Sequence, residues 1–409
     1  MCRYILCFLT GIALFSSCSQ GTIAEDTVSD QVVNQQWLGT ITLSDTIPLN
    51  FNFTLSSSDS LSFQFVITNA GNVVDAKMIA LGADSFKVEV PVFANYLLLS
   101  KTDSTMEGVY VNPDTDDYQL PFKAKLSSES RYPLAAVSEE VLGTYRLDFS
   151  PNTEEERSAL AYLSMNGDSV YGSIMTETGD YRFLEGGIKN DVAQISTFDG
   201  GFLYYFRFEM GDTLLGRYYS GRSYSAPFKA YRDSSFSLRD ADSLTFIKEG
   251  YETLAFSFPN LKGDTLNLDD PKYAGKPVIV QIMGSWCPNC LDESLYLKDQ
   301  FEKYNEQGLE VVGLTFERAR NYETALKRAK KMERDLKLPY PILLAGATRK
   351  DNAAELLPML NHVMSYPTSI YLNKDHKVVK IHTGFAGPGT PLYEDFLAEN
   401  DKFIQALIN

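Results

Sequence analysis

The sequence is poor in cysteine, histidine and positive charge. It has five cysteines and three histidines among 409 residues, and its 37 Lys and Arg residues are outnumbered by 53 Asp and Glu residues. The formal net charge of -16 repels phosphate backbones, because binding them requires clustered Lys and Arg. The composition therefore argues against nucleic acid as a partner. An acidic surface by itself indicates only a solvated protein.

Long apolar runs are also missing, apart from a short one near the N-terminus. Arg3 precedes the apolar run 4–14, and Ser16 and Ser17 precede Cys18. The run is shorter than the roughly 20 residues that cross a bilayer, so we expect residues 1–17 to be an export signal rather than an uncleaved anchor. Residues 15–18 resemble a bacterial lipoprotein processing site, which implies lipidation of Cys18. Simple secretion, with Cys18 as an incidental residue, is the alternative.

The scarcity of cysteine is informative once the export signal is set aside. Cys2 and Cys7 lie within that signal and Cys18 carries the expected lipid, which leaves Cys287 and Cys290. A protein exported to an oxidising compartment with one closely spaced pair is not held together by structural disulfides. The pair is therefore predicted to serve chemistry.

Two related β modules are predicted to follow a polar tether at 18–35. Short alternating runs rich in Phe, Tyr, Val and Thr, separated by turn signals, are typical of antiparallel sheets. Leu-Gly-Thr at 38–40 recurs at 142–144, and Pro-Phe-Lys-Ala at 121–124 recurs at 227–230. The matching offsets indicate a duplication, with module 1 at 36–130 and module 2 at 138–232. Whether the modules form separate barrels, sandwiches or one closed body stays open.

After a polar linker at 233–249, the pattern changes to alternating strands and helices over 250–409. The apolar run Val278–Met283 is typical of a strand that is buried on both faces. A helix is predicted to follow it, with an apolar face of Leu291, Leu295, Leu297, Phe301 and Tyr304 and an end at Gly308. The other predicted elements are a hairpin at 256–268, a strand at 309–315, a helix at 321–336, a strand at 340–344, a hairpin at 368–382 and a helix at 391–408.

The Cys287-Pro288-Asn289-Cys290 segment lies where this buried strand turns into the helix. Thiol–disulfide exchange requires one thiolate that attacks and a second thiol that resolves the mixed disulfide. At the helix N-terminus, free N–H groups and the helix dipole favour the anion of Cys287. Pro288 suits the first helical position. Cys290, one turn later, is predicted to resolve the mixed disulfide.

Two other uses of the pair are weaker. A structural zinc ion needs four ligands, and the only histidines are His362, His376 and His382. A structural disulfide across two residues closes a very small loop and stabilises little. We therefore expect neither a metal nor another cofactor.

The combined motifs resemble the TlpA/ResA-like branch of the thioredoxin-fold family. They are Gly-Lys-Pro at 275–277, the segment 284–290, Glu293 and the tripeptide 366–368. The resemblance, which covers about 250–409, implies that Cys287 is the nucleophile, that Cys290 resolves and forms a disulfide with it, and that Pro367 is a cis proline. It also implies supporting positions at Trp286, Pro288, Pro367 and Thr368, and a role for Glu293 in proton handling. A solvent-facing carboxylate is the alternative for Glu293.

The sequence departs from the family at two positions. Gln281 stands where ordinary thioredoxins have a buried acidic residue, so proton transfer to or from Cys290 cannot use that route. Tyr366 precedes the proline where a smaller residue is common, which puts the shape of the partner-binding groove in question.

We predict that the protein reduces disulfides in other exported proteins with electrons from a membrane donor. We expect it at the periplasmic side or the cell surface, where the N-terminal lipid tethers it to the membrane. Pro288 and Asn289 supply no positive charge, and Asp292 and Glu293 disfavour a further anion, which favours a reducing pair. A thioredoxin-fold peroxidase is one alternative, although Gly284 stands where that chemistry usually has Thr. A surface lipoprotein that binds a glycan or peptide, with an accessory redox domain, is the other.

Overall fold

The first β module folds into a closed antiparallel barrel. The computed structural model describes residues 34–44, 46–57, 62–133, 142–167, 169–347 and 353–409, so the predicted export signal, Cys18 and most of the tether lie outside the described residues. Within that part, each strand of the module pairs with the next and the last pairs with the first. The strands are β1 (Gln35–Leu43), β2 (Ile47–Ser57), β3 (Ser62–Asn69), β4 (Asn72–Ala80), β5 (Ser85–Glu89), β6 (Tyr96–Lys101), β7 (Thr105–Val111) and β8 (Gln119–Leu126).

Alternation along these strands fills the barrel with aromatic rings. In β1, Trp37, Ile41 and Leu43 point inward and are fully buried, as the two-residue side-chain period of a strand requires. Gly39 lies on the same inner side, where a Cβ atom would come within 2.8 Å of the Phe51 ring. The glycine of the first Leu-Gly-Thr repeat therefore makes room for a core ring.

The second β module forms another ring of strands. Strand β9 pairs with β10 and β17, and β10 also pairs with β11, which closes the described strands into a barrel from which β12 extends. The strands are β9 (Gly143–Phe149), β10 (Arg157–Asn166), β11 (Ser169–Thr176), β12 (Gly179–Asp180), β13 (Leu184–Lys189), β14 (Val192–Phe198), β15 (Leu203–Glu209), β16 (Thr213–Ser220) and β17 (Tyr224–Tyr231). The predicted all-β region is confirmed as two barrel-like sheets, each closed on itself.

The C-terminal part is the predicted α/β domain. Its sheet has the order β22-β21-β20-β23-β24, in which β20, β21 and β22 are parallel and β23 and β24 are antiparallel to their neighbours. The short helix α1 (Ala241–Leu244) precedes it. The remaining elements are β18 (Ser257–Pro259), β19 (Thr265–Asn267), β20 (Val278–Met283), α2 (Pro288–Tyr304), β21 (Glu310–Phe316), α3 (Tyr322–Leu336), β22 (Ile342–Gly346), α4 (Ala353–Leu356), β23 (Thr368–Leu372), β24 (Val378–Thr383) and α5 (Tyr393–Ile408).

The predicted elements are present, with small corrections. The strand expected at 340–344 is Ile342–Gly346, and the last helix begins at Tyr393 rather than 391. Leu295 was assigned to the apolar face of α2, but it is 39% exposed, whereas its neighbour Tyr296 is buried. The buried face of α2 instead includes Glu293, Ser294 and Tyr296. No helix among the described residues is long and apolar enough to cross a membrane.

The α/β domain packs directly on both barrels. On the first barrel, Lys331 of α3 donates a hydrogen bond to the Val90 carbonyl at 2.8 Å, and Asp335 accepts one from the Val92 amide at 3.0 Å. Arg328 forms an ion pair with Asp114. On the second barrel, the turn between β11 and β12 contacts the loop before β23. This packing places the end of α2 that carries the cysteines between the two barrels.

Candidate active site

The two cysteines lie at the junction of β20 and α2. Cys287 is the N-cap of the helix, and its sulfur accepts a hydrogen bond from the Cys290 amide at 3.2 Å. Pro288 occupies the first helical turn, where its missing N–H costs no hydrogen bond. The cysteines are joined by a disulfide bond, with their Cα atoms 5.2 Å apart. Cys287 is 4% exposed and Cys290 is fully buried, so the outer sulfur is the one that a partner can reach.

The loop before β23 faces Cys287. The Tyr366–Pro367 peptide bond is cis, and the Tyr366 carbonyl oxygen lies 3.2 Å from the Cys287 sulfur. Thr368 donates a hydrogen bond to the Ser365 carbonyl at 2.8 Å. The Trp286 indole N–H donates to the Phe316 carbonyl at 2.9 Å, and its ring meets Tyr366 edge to face. The structure thus places Trp286 and the Tyr366–Pro367 peptide beside Cys287, and Thr368 supports the loop through Ser365.

Glu293 lies inside the domain, so the solvent-facing alternative is wrong. Its carboxylate accepts hydrogen bonds from Gln281 Nε2 at 2.8 Å and from Ser369 Oγ at 3.0 Å. Gln281 Nε2 also lies 3.4 Å from the Cys290 carbonyl oxygen. Burial raises the pKa of Glu293 to about 8, although both hydrogen bonds oppose that shift. Gln281 of β20 stands where ordinary thioredoxins have a buried acidic residue. In this protein the buried carboxyl group next to it is that of Glu293, from the neighbouring helix α2.

The raised pKa of Glu293 predicts a pH-dependent stability. The group holds a proton in the folded state up to a pKa of about 8, whereas its ordinary value is 4.5. Between these values the unfolded chain binds fewer protons, so stability falls as pH rises, by up to about 1.4 kcal/mol per pH unit from this group. Glu293→Gln is expected to remove that part of the slope in urea titrations from pH 5 to 9. Glu302→Gln, an exposed position on the same helix, is the control and should keep the wild-type slope.

A buried ionic cluster joins the second barrel to the same helix, and sequence reasoning did not find it. Arg182 bonds Asp199 at 2.8 Å within the barrel and Asp292 of α2 at 3.0 Å. Asp180 accepts a hydrogen bond from the Arg182 amide and another from the Gly387 amide. Burial raises the pKa of Asp292 to about 7 against the pull of Arg182. Arg182 and Asp292 lie 110 positions apart, so no local pattern could have paired them.

Sequence reasoning also did not find a second buried carboxylate, which contacts the segment just before the two cysteines. Glu317 follows β21 and accepts hydrogen bonds from the Ser285 amide and hydroxyl and from the Thr315 hydroxyl. Burial raises its pKa. Because Ser285 lies two residues before Cys287, this network fixes the backbone that presents the sulfur.

The structure bears on two other chemistries at this site. No group of three or more His, Cys, Asp or Glu residues in the described part of the chain is arranged to hold a metal ion. At Gly284, where a peroxidase of this fold usually has Thr, an added Cβ would overlap the Trp286 indole nitrogen. A threonine at this position would therefore require the tryptophan beside the cysteines to move.

Comparison with known proteins relates the domain that carries this site to redox proteins. Residues 250–381 match the AhpC/TSA family. The thiol-disulfide oxidoreductase ResA of Bacillus thuringiensis subsp. konkukian is 31% identical over 131 residues, which are 32% of this chain and 67% of that protein. The thioredoxin-like protein YneN of Bacillus subtilis is 30% identical over 138 residues, 34% of this chain and 73% of the relative. A solved putative thiol:disulfide interchange protein, DsbE from Chlorobium tepidum, is 21% identical, with a TM-score of 0.31; the match covers 40% of this chain and all of that one.

Proposed function

Because this chain belongs through its C-terminal domain to the ResA-like thiol–disulfide oxidoreductases, we propose that it reduces disulfide bonds of other exported proteins. The main support for this proposal is the position of the Cys287 sulfur. This sulfur lies at the N-terminus of α2, beside the Tyr366 carbonyl, and forms a disulfide bond with the more deeply buried Cys290. An outer sulfur for attack and an inner one for release are what the exchange reaction requires.

The proposed reaction runs in two exchange steps. The Cys287 thiolate attacks one sulfur of the partner's disulfide, and the other partner sulfur leaves with the electron pair and takes up a proton. Cys290 then loses its proton and attacks the Cys287 sulfur, so the second partner sulfur leaves and the Cys287–Cys290 disulfide forms. The partner gains two electrons and two protons. A membrane electron donor must return two electrons to the enzyme for the next cycle.

Burial of the pair supports the reducing direction better than the charge argument from sequence. By residue type Asp292 and Glu293 are anions, but burial raises the pKa of Asp292 to about 7 and that of Glu293 to about 8. Glu293 is therefore largely neutral at pH 7. Instead, Cys287 and Cys290 are themselves buried, which disfavours a thiolate. A less stabilised thiolate makes the disulfide harder to reduce and the couple more reducing.

The reduction potential tests this direction. We expect a value nearer to that of thioredoxin, about -270 mV, than to that of the strong periplasmic oxidants, about -120 mV. The measurement is equilibration of the purified protein with glutathione buffers, followed by quantification of free thiols. A potential close to that of the strong oxidants would replace the reductase proposal with a role in disulfide formation.

We also propose that the chain is tethered to a membrane of the cell envelope through Cys18. The support is its place after a short apolar run and two small residues, a pattern that favours lipoprotein processing. Mass spectrometry of protein extracted from membranes is expected to detect a mature N-terminus at Cys18 that carries acyl chains. A soluble mature protein with an unmodified N-terminus would contradict the tether.

A further inference from the structure

A cleft of about 240 Å³ lies where both barrels meet the redox domain. The three parts of the chain contribute different walls to it. Among the lining residues are Phe93 from the first module, Phe202 and Ser220 from the second, and Ser285, Trp286 and Arg318 from the redox domain. Ser285 and Trp286 directly precede Cys287 in the chain, so the cleft borders the segment that presents the reactive sulfur.

The opposite side of the cysteine pair is closed by the second barrel. The Thr178 carbonyl accepts a hydrogen bond from Ser365 at 2.6 Å. The Cα atom of Gly179 packs so closely on Asn289, between the two cysteines, that an added Cβ would lie 2.6 Å from its side-chain oxygen. The turn between β11 and β12 thus covers both the cysteine loop and the loop before the cis proline. This side is therefore closed to a partner, whereas the cleft lies beside the segment that precedes Cys287.

The size and chemistry of the cleft restrict what enters it. Its volume is below the roughly 300–1,000 Å³ of sites for drug-sized ligands, so it suits one or two residues of an extended chain. Arg328 in its wall is paired with Asp114, and the Arg318 guanidinium lies 3.3 Å from the centre of the Trp286 ring. The remaining ring faces favour an apolar or aromatic side chain.

We propose that this cleft binds the disulfide-bearing segment of a partner polypeptide and selects segments with an aromatic residue beside the attacked cysteine. The two β modules then act as the substrate-selecting part of the enzyme. This inference rests on the proposed function, because it requires Cys287 to attack a partner disulfide. It assigns the polypeptide segment, rather than a low-molecular-weight thiol, as the occupant.

The test uses short peptides that carry a coloured leaving group. Gly-Phe-Cys-Gly and Gly-Gly-Cys-Gly are each converted to the mixed disulfide with 5-thio-2-nitrobenzoate and added to the prereduced, desalted full chain. Cys287 attacks the peptide sulfur and the nitrobenzoate thiolate leaves, because the lower-pKa thiol leaves faster. Cys290 then displaces the peptide as a thiol and forms the internal disulfide. We expect the Phe peptide to react about tenfold faster, from burial of its ring.

Substitutions in the cleft are expected to abolish this preference. Phe202→Ala removes one aromatic wall and Ser220→Trp fills the cleft, and either should bring the rate ratio of the two peptides close to one. Leu215→Ala is the matched control, since Leu215 lies on the same strand as Ser220 but is 55% exposed. It should keep the wild-type ratio.

The possible outcomes separate this inference from the proposed function. Loss of the preference in either cleft variant supports the inference. An absence of preference in the wild type, or its persistence in both variants, overturns it. Glutathione carrying the same leaving group would identify a small thiol as the occupant if it reacted faster than the Phe peptide, which also overturns the inference. If the reduced protein releases no chromophore from any of these compounds, the oxidoreductase proposal itself fails.

Discussion

Replacing Cys290 by serine is expected to leave Cys287 covalently bound to partner proteins. Cys290 lies on the inner side of Cys287, fully buried, with their Cα atoms 5.2 Å apart. Release of the partner depends on this internal thiol, because intramolecular attack has an effective concentration far above that of a free thiol. Without it, we expect release to slow by orders of magnitude. Non-reducing electrophoresis of the tagged variant from cell-envelope extracts should then give high-mass bands that a reductant removes.

The matching variant at the other cysteine assigns the two roles. Cys287→Ser lacks the outer sulfur and should trap nothing, and the variant without both cysteines serves as the background. Adducts from Cys287→Ser together with none from Cys290→Ser would reverse the assignment of attacking and resolving thiols. Mass spectrometry of the trapped bands would identify the partners, which no residue pattern in this chain specifies.

Replacing Arg182 by alanine is expected to cause the largest loss of stability. Arg182 is the cation among the buried carboxyl groups of Asp180, Asp199 and Asp292. These carboxyl groups raise the pKa of Arg182 against the opposing effect of burial. Removing one partner of a buried ion pair leaves uncompensated charge and costs about 3–5 kcal/mol. Urea titration at pH 8 should detect this loss, which should be smaller at pH 5, because burial raises the pKa of Asp180 and Asp292 and favours their protonated forms there.

An exposed ion pair between the linker and the second barrel provides the control for Arg182. Arg239, in the linker, bonds both carboxylate oxygens of Glu177 at 2.6 Å, but its side chain is 65% exposed. Exposed pairs contribute little, because water solvates the separated charges. Arg239→Ala should therefore unfold close to the wild type. If Arg182→Ala also does so at pH 8, the buried cluster does not hold the barrel and α2 together as its geometry indicates.

Much of the redox domain could be predicted because its signals are local. The strand Val278–Met283 is buried at every position, and its near-continuous apolar run, interrupted by Gln281, predicted that environment. The helix start was equally local, since Cys287 and Pro288 have the residue types of an N-cap and a first helical position. Leu295 was assigned wrongly, because apolar character alone does not indicate which side of a helix its neighbours cover.

The surroundings of the cysteines could not be predicted in the same way. Glu293 looks like any helical carboxylate until Gln281 and Ser369 enclose it. Arg182 gives no local signal at all, and the contact between Ser365 and Thr178 joins positions 187 residues apart. The repeated segments indicated two related modules. They did not indicate that each module closes into its own barrel or that the second one covers the redox site.

The sequence by itself therefore determined the thioredoxin-like redox domain and the strand-to-helix junction that carries the two cysteines, and it predicts which of the two thiols attacks. These depend on residue types at fixed short spacings, which a linear pattern contains. Only the tertiary structure decided which carboxyl groups are buried, that Arg182 joins α2 to the second barrel, and that a narrow cleft borders the segment before Cys287. These depend on which distant surfaces pack together, and local periodicity fixes the faces of each element but not its neighbours.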